Sequence, residues 1–330
     1  GWNLLGRALI NLYDPQRPEP FLVRPLDRIR FTAAVGEPPE LPGHLELLPA
    51  VPSRPRLLVA EAGLLDLVVD RGRTFAAVHG LSSSGAADAR SAAIANALLG
   101  NHPDAPLLEL NLRGPTLEAT GTLVAAVTGD ALLPLVNGEP VMPWSSFLLR
   151  QGDRLGFRSS GKGARSYLAL AGGIEAASFL GSRSTDLKGR IGRPLAAGDL
   201  LGAARESSPR PGRSFRGFQA EWRPVTLTLE RGPQFSPEAA GALTRQVFTV
   251  QAHDRMGVRL AGGVVPGGEV VSEPVPPGSL QVTASGEAMI LLSDRGLVGG
   301  YAKPAVITPA HLPLAAQLVT GDRIRFRWAD

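Results

Sequence analysis

The chain has 330 residues, 44% of them hydrophobic but only 5% aromatic, so its cores must rest on Leu, Val, Ile and Ala. That length exceeds the roughly 100 to 200 residues of one domain and predicts two. The formal charge is +4, yet 34 basic and 30 acidic residues are interspersed without a like-charge block, which argues against a nucleic-acid partner.

The absence of Cys excludes thiol catalysis, disulfides and Cys-ligated zinc. No run of about 18 apolar residues predicts a membrane span, and nothing resembles a signal peptide, so the cytoplasm is the expected compartment.

In chain order, the first informative unit is a phrase that recurs. Pro25-Leu26-Asp27-Arg28-Ile29-Arg30-Phe31 returns as Gln151-Gly152-Asp153-Arg154-Leu155-Gly156-Phe157 and as Thr320-Gly321-Asp322-Arg323-Ile324-Arg325-Phe326. In each, Gly (or Leu26) and Asp supply a turn. Arg then alternates with Ile, Leu or Phe, the pattern of a strand with one wet and one buried face. Ala197-Gly198-Asp199-Leu200-Leu201 is a shorter echo. Three endings imply three related β-units. The first falls too early for a closed barrel, and Gly1 is not an initiator Met, so the chain is expected to open in the last part of a preceding domain.

Pro38, Pro39, Pro42, Pro49, Pro52 and Pro55 make residues 33–55 an extended linker. Strands are predicted at 57–60, 64–69, 107–112, 123–128, 132–136, 154–158 and 165–171, with Asn137-Gly138 as a hairpin turn. Ala-rich residues 89–99 read as a helix, capped by Asp88 and stopped by Gly100. Ser207-Ser208-Pro209-Arg210-Pro211-Gly212 marks a second linker, 206–220. Residues 221–330 then alternate strands with a short helix at 237–243, where Ser236 caps and Pro237 takes the first helical position.

Several clusters carry chemistry. Gly156-x4-Gly161-Lys162 approaches a phosphate-binding loop, but Gly163 stands where Ser or Thr would hold magnesium, and residues 154–170 read as a β-hairpin. His44, His79, His102, His253 and His311 lack ligand spacing, so no metal is expected. Ser82-Ser83-Ser84-Gly85-Ala86-Ala87-Asp88 runs into the Ala-rich helix. Its hydroxyls and N–H groups suit a carboxylate ligand, with plain capping as the alternative.

Gly181-Ser182-Arg183-Ser184-Thr185-Asp186 packs three hydroxyls, a guanidinium and a carboxylate into six residues. Arg183 suits a bidentate grip on carboxylate or phosphate, or an internal pair with Asp186. His253-Asp254-Arg255-Met256-Gly257 and Gly299-Gly300-Tyr301-Ala302-Lys303 join ionisable groups to glycines that admit a ligand to the backbone. With Glu273, Gln281 and Asp294 between them, a carboxylate, an amide and an amine converging on one cleft would position a lactam and activate water.

At these residues the chain resembles a known family. Asp70-Arg71-Gly72-Arg73, Ser84-Gly85-Ala86-Ala87-Asp88, Ala95-Asn96-Ala97-Leu98-Leu99-Gly100-Asn101, Gly114-Pro115-Thr116-Leu117, Ala171-Gly172-Gly173-Ile174, Gly181 to Leu187, Asp254-Arg255-Met256-Gly257, Pro277-Gly278-Ser279-Leu280-Gln281 and Gly299-Gly300-Tyr301 occur in its order. The family is variously called the 5-oxoprolinase C component, allophanate hydrolase subunit 2, KipA and biotin-dependent carboxyltransferase. Gly1-Trp2, Leu5-Gly6-Arg7, Asp14-Pro15-Gln16-Arg17 and Pro25 to Phe31 resemble the end of the neighbouring 5-oxoprolinase B component, or KipI.

The resemblance implies a mainly β fold: two cyclophilin-like β-barrel modules with a few short helices, plus the tail of a preceding cyclophilin-like barrel. The expected division is 1–32 KipI-like, 33–55 linker, 56–205 first module, 206–220 linker and 221–330 second module. The implied function is that of fused B and C components of an ATP-dependent 5-oxoprolinase, inactive alone, that opens 5-oxo-L-proline to L-glutamate. ATP would be bound mainly by the separate A component.

One alternative is the carboxyltransferase module of a biotin-dependent urea or amide carboxylase. Biotin would then arrive in trans, since none of Lys162, Lys188 and Lys303 has a neighbouring Met. Another is a KipI/KipA-type regulator of a sensor histidine kinase. Asp294, Lys303 and Glu273 are the expected catalytic residues, and His79, Ser84, Asp88, Arg183, Ser184, Asp186, Arg255, Gln281 and Tyr301 the expected substrate-binding ones. Expected partners are the 5-oxoprolinase A component, the remainder of the fused B component and a small lactam or amide, with no nucleic acid or membrane; a homo-oligomer is compatible.

Overall fold

The computed structural model describes residues 5–216 and 225–329. Gly1, Trp2, the end of the expected 206–220 linker and the start of the expected second module lie outside the described residues.

The first module is two antiparallel sheets packed face to face. In Pro55–Glu61, alternation sends Leu57 and Val59 inward, and Leu200–Gly202 pairs along one edge. Thr116–Ala119, Arg154–Ser159, Leu132–Val136 and Glu139–Pro140 follow on the other. The facing sheet runs Asp66–Val69, Leu107–Asn111, Arg165–Leu170, Leu123–Gly129 and Ser145–Leu149. Its central strands are apolar on both faces, because one face meets Leu57, Leu117 and Leu155 while the other lies under a helix. That helix, α1 (Ala89–Leu99), has the expected bounds. The Asp88 carboxylate accepts the Ser91 N–H at 2.9 Å, and Gly100 closes the end with φ 67°.

The second module closes on itself. Val225–Arg231, Arg323–Trp328, Phe248–His253, Gly257–Ala261, Ala288–Leu291, Ser279–Val282 and Val298–Ile307 pair in that order, and the last returns to the first through Leu229, Glu230 and Arg231. The result is a seven-stranded barrel, with Glu269–Pro274 added outside the ring against Val298–Ile307. Leu227, Leu260, Leu280, Ile290 and Ile324 fill it. Two helices, α2 (Pro237–Thr244) and α3 (Leu312–Ala316), pack Leu243 and Ala315 onto the same core, and Ser236 caps α2 as expected. The fold is thus mainly β with three short helices. No helix among the described residues is long and apolar enough to cross a membrane.

The recurring phrase has one physical meaning at all four places. Asp27, Asp153, Asp199 and Asp322 each donate their N–H to the carbonyl three residues earlier, at 3.0 to 3.1 Å. Each also accepts that same residue's N–H on a carboxylate oxygen, at 2.7 to 2.9 Å. Between them the third turn residue takes a positive φ: Leu26 73°, Gly152 86°, Gly198 92° and Gly321 92°. Glycine adopts that conformation without strain, and Asp locks it from the side-chain end.

The strand expected after the first turn does not form. Residues 28–31 find no ladder partner among the described residues, leaving Ile29 56% and Phe31 88% exposed. The expected hairpin over 154–170 is also corrected: Arg154–Ser159 and Arg165–Leu170 belong to different sheets, so the intervening loop crosses the core instead of folding back. Part of the 33–55 segment is docked rather than free. Leu47 is buried, and Leu45 donates its N–H to the Arg190 carbonyl and accepts the Gly192 N–H.

Leu280 is wholly enclosed in a barrel whose neighbouring strands are held on both sides. Leu280→Ala is expected to lower the unfolding free energy by about 2–5 kcal/mol. Urea denaturation checks this, and an unchanged midpoint would contradict the closed packing.

Candidate active site

The polar residues concentrate where the two modules meet. Strand Leu107–Asn111 is apolar except for Glu109, which is 0% exposed, and the terminal Asn111. Glu109 Oε2 accepts the Ala87 N–H at 2.9 Å and the Tyr167 hydroxyl at 2.8 Å. Its Oε1 pairs with the Arg255 guanidinium, which crosses from the second module, and lies 3.5 Å from Arg165 Nε.

Local structure aims Arg255 across the seam. The Asp254 carboxylate accepts the N–H groups of Met256 at 2.7 Å and Gly257 at 2.9 Å, a tight side-chain turn between two strands. Arg255 then clasps Asp294, with Nε to Oδ2 at 2.7 Å and Nη2 to Oδ1 at 3.1 Å, and donates to the Gly85 carbonyl at 2.8 Å. Every nitrogen of that guanidinium is therefore committed to protein. Arg255, expected to bind substrate, has its guanidinium bonded to Asp294, Glu109 and the Gly85 carbonyl.

A neutral contact holds the other end of the seam. Gln317, just beyond α3, accepts the N–H groups of Ala164 at 3.2 Å and Arg165 at 3.0 Å and donates to Asp88 Oδ2 at 2.8 Å. Asp88 is thus both the α1 cap and a seam contact.

A second cluster lies on the first-module side. Arg73 is 1% exposed; Nη2 reaches the Ser184 carbonyl, but Nε and Nη1 have no hydrogen-bond partner. Around it, Asp70 accepts the hydroxyls of Ser182 and Ser184, each at 2.6 Å, and Asp186 accepts the Ser82 hydroxyl at 3.1 Å. Ser82 and Ser84 hydroxyls are 3.0 Å apart. Asp294 is among the carboxylates whose charge raises Arg73, and Asp186 in turn raises Asp294. His79, expected here, is exposed and stacks on Phe21 at 4.8 Å. Arg183 turns away from Ser184 and Asp186, its Nε bonding the Ala176 carbonyl at 3.1 Å.

A third cluster sits on the barrel. Lys303, 1% exposed, pairs with Glu273 at 2.7 Å, and Gln234 donates to the same Glu273 oxygen at 2.9 Å. Gln281 lies beside Gly299, where an added Cβ would stand 2.6 Å from its Nε2. Tyr301 is 39% exposed on the same strand as Gly299. The expected convergence is therefore partial: Glu273, Gln281, Tyr301 and Lys303 share neighbouring strands, whereas Asp294 is bound to Arg255.

Electrostatics follows from burial and pairing. Burial alone would raise Glu109, but Arg255 and Arg165 outweigh it and hold the carboxyl below its usual range. Burial raises Asp294 despite Arg255, and raises Asp88 despite Gln317 and Ser91. Burial, with the Asp88 charge behind it, pushes Asp130 from 3.8 up to about 6. Burial lowers Arg73, while a hydrogen bond from Lys303 lowers Glu273. No group of three acidic or His side chains among the described residues is arranged for a metal ion.

Sequence reasoning passes over Glu109, Arg165 and Gln317. A lone Glu inside the apolar run Leu107-Leu108-Glu109-Leu110 is the available signal, since a buried charge requires a partner.

Two β modules joined by a buried ionic seam, with serine, arginine and carboxylate clusters in the same chain, define a two-subdomain β protein. The family profile described as "Carboxyltransferase domain, subdomain A and B" matches residues 79–328, and the chain belongs to that family. It is 33% identical over 282 residues to the C component of 5-oxoprolinase from Escherichia coli, covering 82% of this chain and 90% of that protein. It is 30% identical over 284 residues to urea amidolyase of Lachancea kluyveri, covering 75% of this chain but 15% of that protein. The solved structure of TTHA0988 superposes with a TM-score of 0.95 at 51% identity, covering 99% of this chain, which spans 66% of that one. The Kluyveromyces lactis urea amidolyase structure gives 0.76 at 26% identity, covering 85% of this chain and 19% of that one.

Removing the shared anion leaves two buried cations facing each other. Glu109→Gln is therefore expected to cost about 3–5 kcal/mol in urea denaturation. Asp130 works oppositely. Its folded value near 6 lies above the ordinary 3.8, so its contribution is intact below 3.8 and lost as pH rises through about 6. Asp130→Asn should raise the melting temperature at pH 8 and lose that advantage near pH 4; a pH-independent difference would contradict the assignment.

Proposed function

We propose that this chain supplies the C component of an ATP-dependent 5-oxoprolinase that opens 5-oxo-L-proline to L-glutamate in the cytoplasm. The observation that carries this reading is length correspondence. The match takes in 90% of the E. coli 5-oxoprolinase component but only 15% of the yeast urea amidolyase.

In this reading Asp294 is the general base toward water. Burial holds its pKa above the ordinary carboxyl value, the direction a base near neutral pH needs, and Arg255 fixes its orientation. The hydroxyls of Ser82 and Ser84 are donors suited to the substrate carboxylate, with the buried Arg73 cation in the same cluster. Lys303 and Glu273 form the other candidate proton relay.

ATP does not fit the described residues of this chain. The Gly161-Lys162-Gly163 loop joins strand to strand, with no helix N-terminus behind it, so the nucleotide is assigned to a partner, the 5-oxoprolinase A component. Residues 5–31 are assigned to the end of a KipI-like domain. The exposed Ile29 and Phe31, apolar side chains of a strand-like phrase with no ladder partner among the described residues, are the observation behind that assignment.

The family description favours a second reading, carboxyl transfer to urea or a related amide. Lys303 is buried and paired, so biotin would be carried by another polypeptide.

The test is ATP-dependent glutamate release from 5-oxoproline by the full chain, combined with the A and B components. Asp294→Asn is expected to lower kcat by about 10²- to 10⁴-fold. A comparable loss in Lys303→Met with Asp294→Asn unaffected would move the chemistry to the barrel cluster. No glutamate release, with carboxyl uptake from free carboxybiotin, would replace the oxoprolinase reading by the second.

A further inference from the structure

The Gly181–Asp186 segment has two working sides. Ser182, Ser184 and Asp186 are buried toward Asp70 and Ser82, as described, while Arg183 between them points the other way. It enters a groove of about 880 Å³ on the outer side of the first module. Arg71, Arg205 and His102 share its walls, and Gly172, Ala105 and Ala176 lie along it.

The groove's three carboxylates, Asp70, Asp104 and Glu175, equal its three guanidiniums in number but do not pair with them contact by contact. Asp70 is saturated, accepting two serine hydroxyls at 2.6 Å, the Arg183 N–H at 2.6 Å and the Gly72 N–H at 2.8 Å. Glu175 is held by the N–H and hydroxyl of Ser53, both at 2.7 Å. Asp104 pairs with Arg71 at 3.2 Å. Arg183 and Arg205 meet no carboxylate among the described residues. Arg183 uses only Nε within the protein, so both its terminal nitrogens remain for a ligand.

The mounting of these two residues is firm. The Arg183 main chain is fixed by Asp70, and the Ala204 N–H bonds the Gly173 carbonyl at 2.9 Å. Gly172 permits the Arg205 backbone to approach so closely that a Cβ there would lie 2.0 Å from the Arg205 carbonyl oxygen.

We propose that this groove is a second binding site, lined by none of Glu109, Arg255 and Asp294, for a small dianion whose charged oxygens are shared by Arg183 and Arg205. Guanidinium forks suit carboxylate and phosphate oxygens alike. The volume falls in the range of small-molecule pockets, and the polar walls suit a charged ligand over an apolar one. A dicarboxylate and a phosphate are the two sources of that chemistry. The inference does not depend on the oxoprolinase reading, since none of the residues given catalytic roles lines the groove.

The test is isothermal titration calorimetry of the full 330-residue chain with succinate and with inorganic phosphate, at low and moderate salt. Saturable one-to-one binding of either probe is expected, with Arg183→Gln and Arg205→Gln each weakening it about tenfold, or 1.4 kcal/mol. Binding of succinate alone identifies a dicarboxylate site, and binding of phosphate alone a phosphate site. Arg205 is exposed, so Arg205→Gln keeps the fold even if Arg183→Gln does not. Arg150→Gln, an exposed charge outside the groove, controls for general electrostatics. The proposal is overturned if neither probe binds or if Arg150→Gln weakens binding equally. It is also overturned if binding survives Arg205→Gln but is lost in Asp294→Asn, which would place the ligand at the seam.

Discussion

A carboxylate buried as completely as Glu109 costs several kcal/mol unless cations meet it, and the two that do come from different modules. Arg165 begins a strand of its own module, while Arg255 projects from a turn of the barrel. The first-module core can therefore be complete only with the second module in place. The same guanidinium then fixes Asp294, so that carboxylate is oriented by a charge whose other partner lies across the boundary. Stability and site geometry are one problem here, and a substitution at Glu109 reaches Asp294 through a single side chain.

Membership of the carboxyltransferase family accounts for the two-module architecture. Arg73 and the Ser82–Ser84 pair belong to the first module and Asp294 to the second. The Lys303–Glu273 pair stands apart on the barrel strands.

Local order is readable from the residues, and tertiary pairing is not. Asp88 and Gly100 bound α1 because capping is settled within a few residues of each end. The recurring Gly-Asp turns are visible because each is closed entirely by bonds over three residues. In contrast, residues 154–170 read as a hairpin and are not one. Two strands joined by a short loop look alike in sequence whether they pair with each other or with different sheets. The role of Arg255 is legible as to its importance but not its partner, since Glu109 lies in another module and bears no sequence relation to it. Thr116–Ala119 and Ser145–Leu149 escape because their short, mixed patterns acquire strand character only from neighbours already in the sheet.

The two fastenings of the seam differ in kind. Glu109 and Arg255 meet through charge, whereas the Gln317 carbonyl oxygen takes two main-chain N–H groups and has no proton to gain. Acid strong enough to neutralise Glu109 would thus weaken the ionic fastening while leaving the Gln317 bonds to the main chain and the Arg255 bond to the Gly85 carbonyl in place. The joint is asymmetric by composition, with one part that titrates and one that does not.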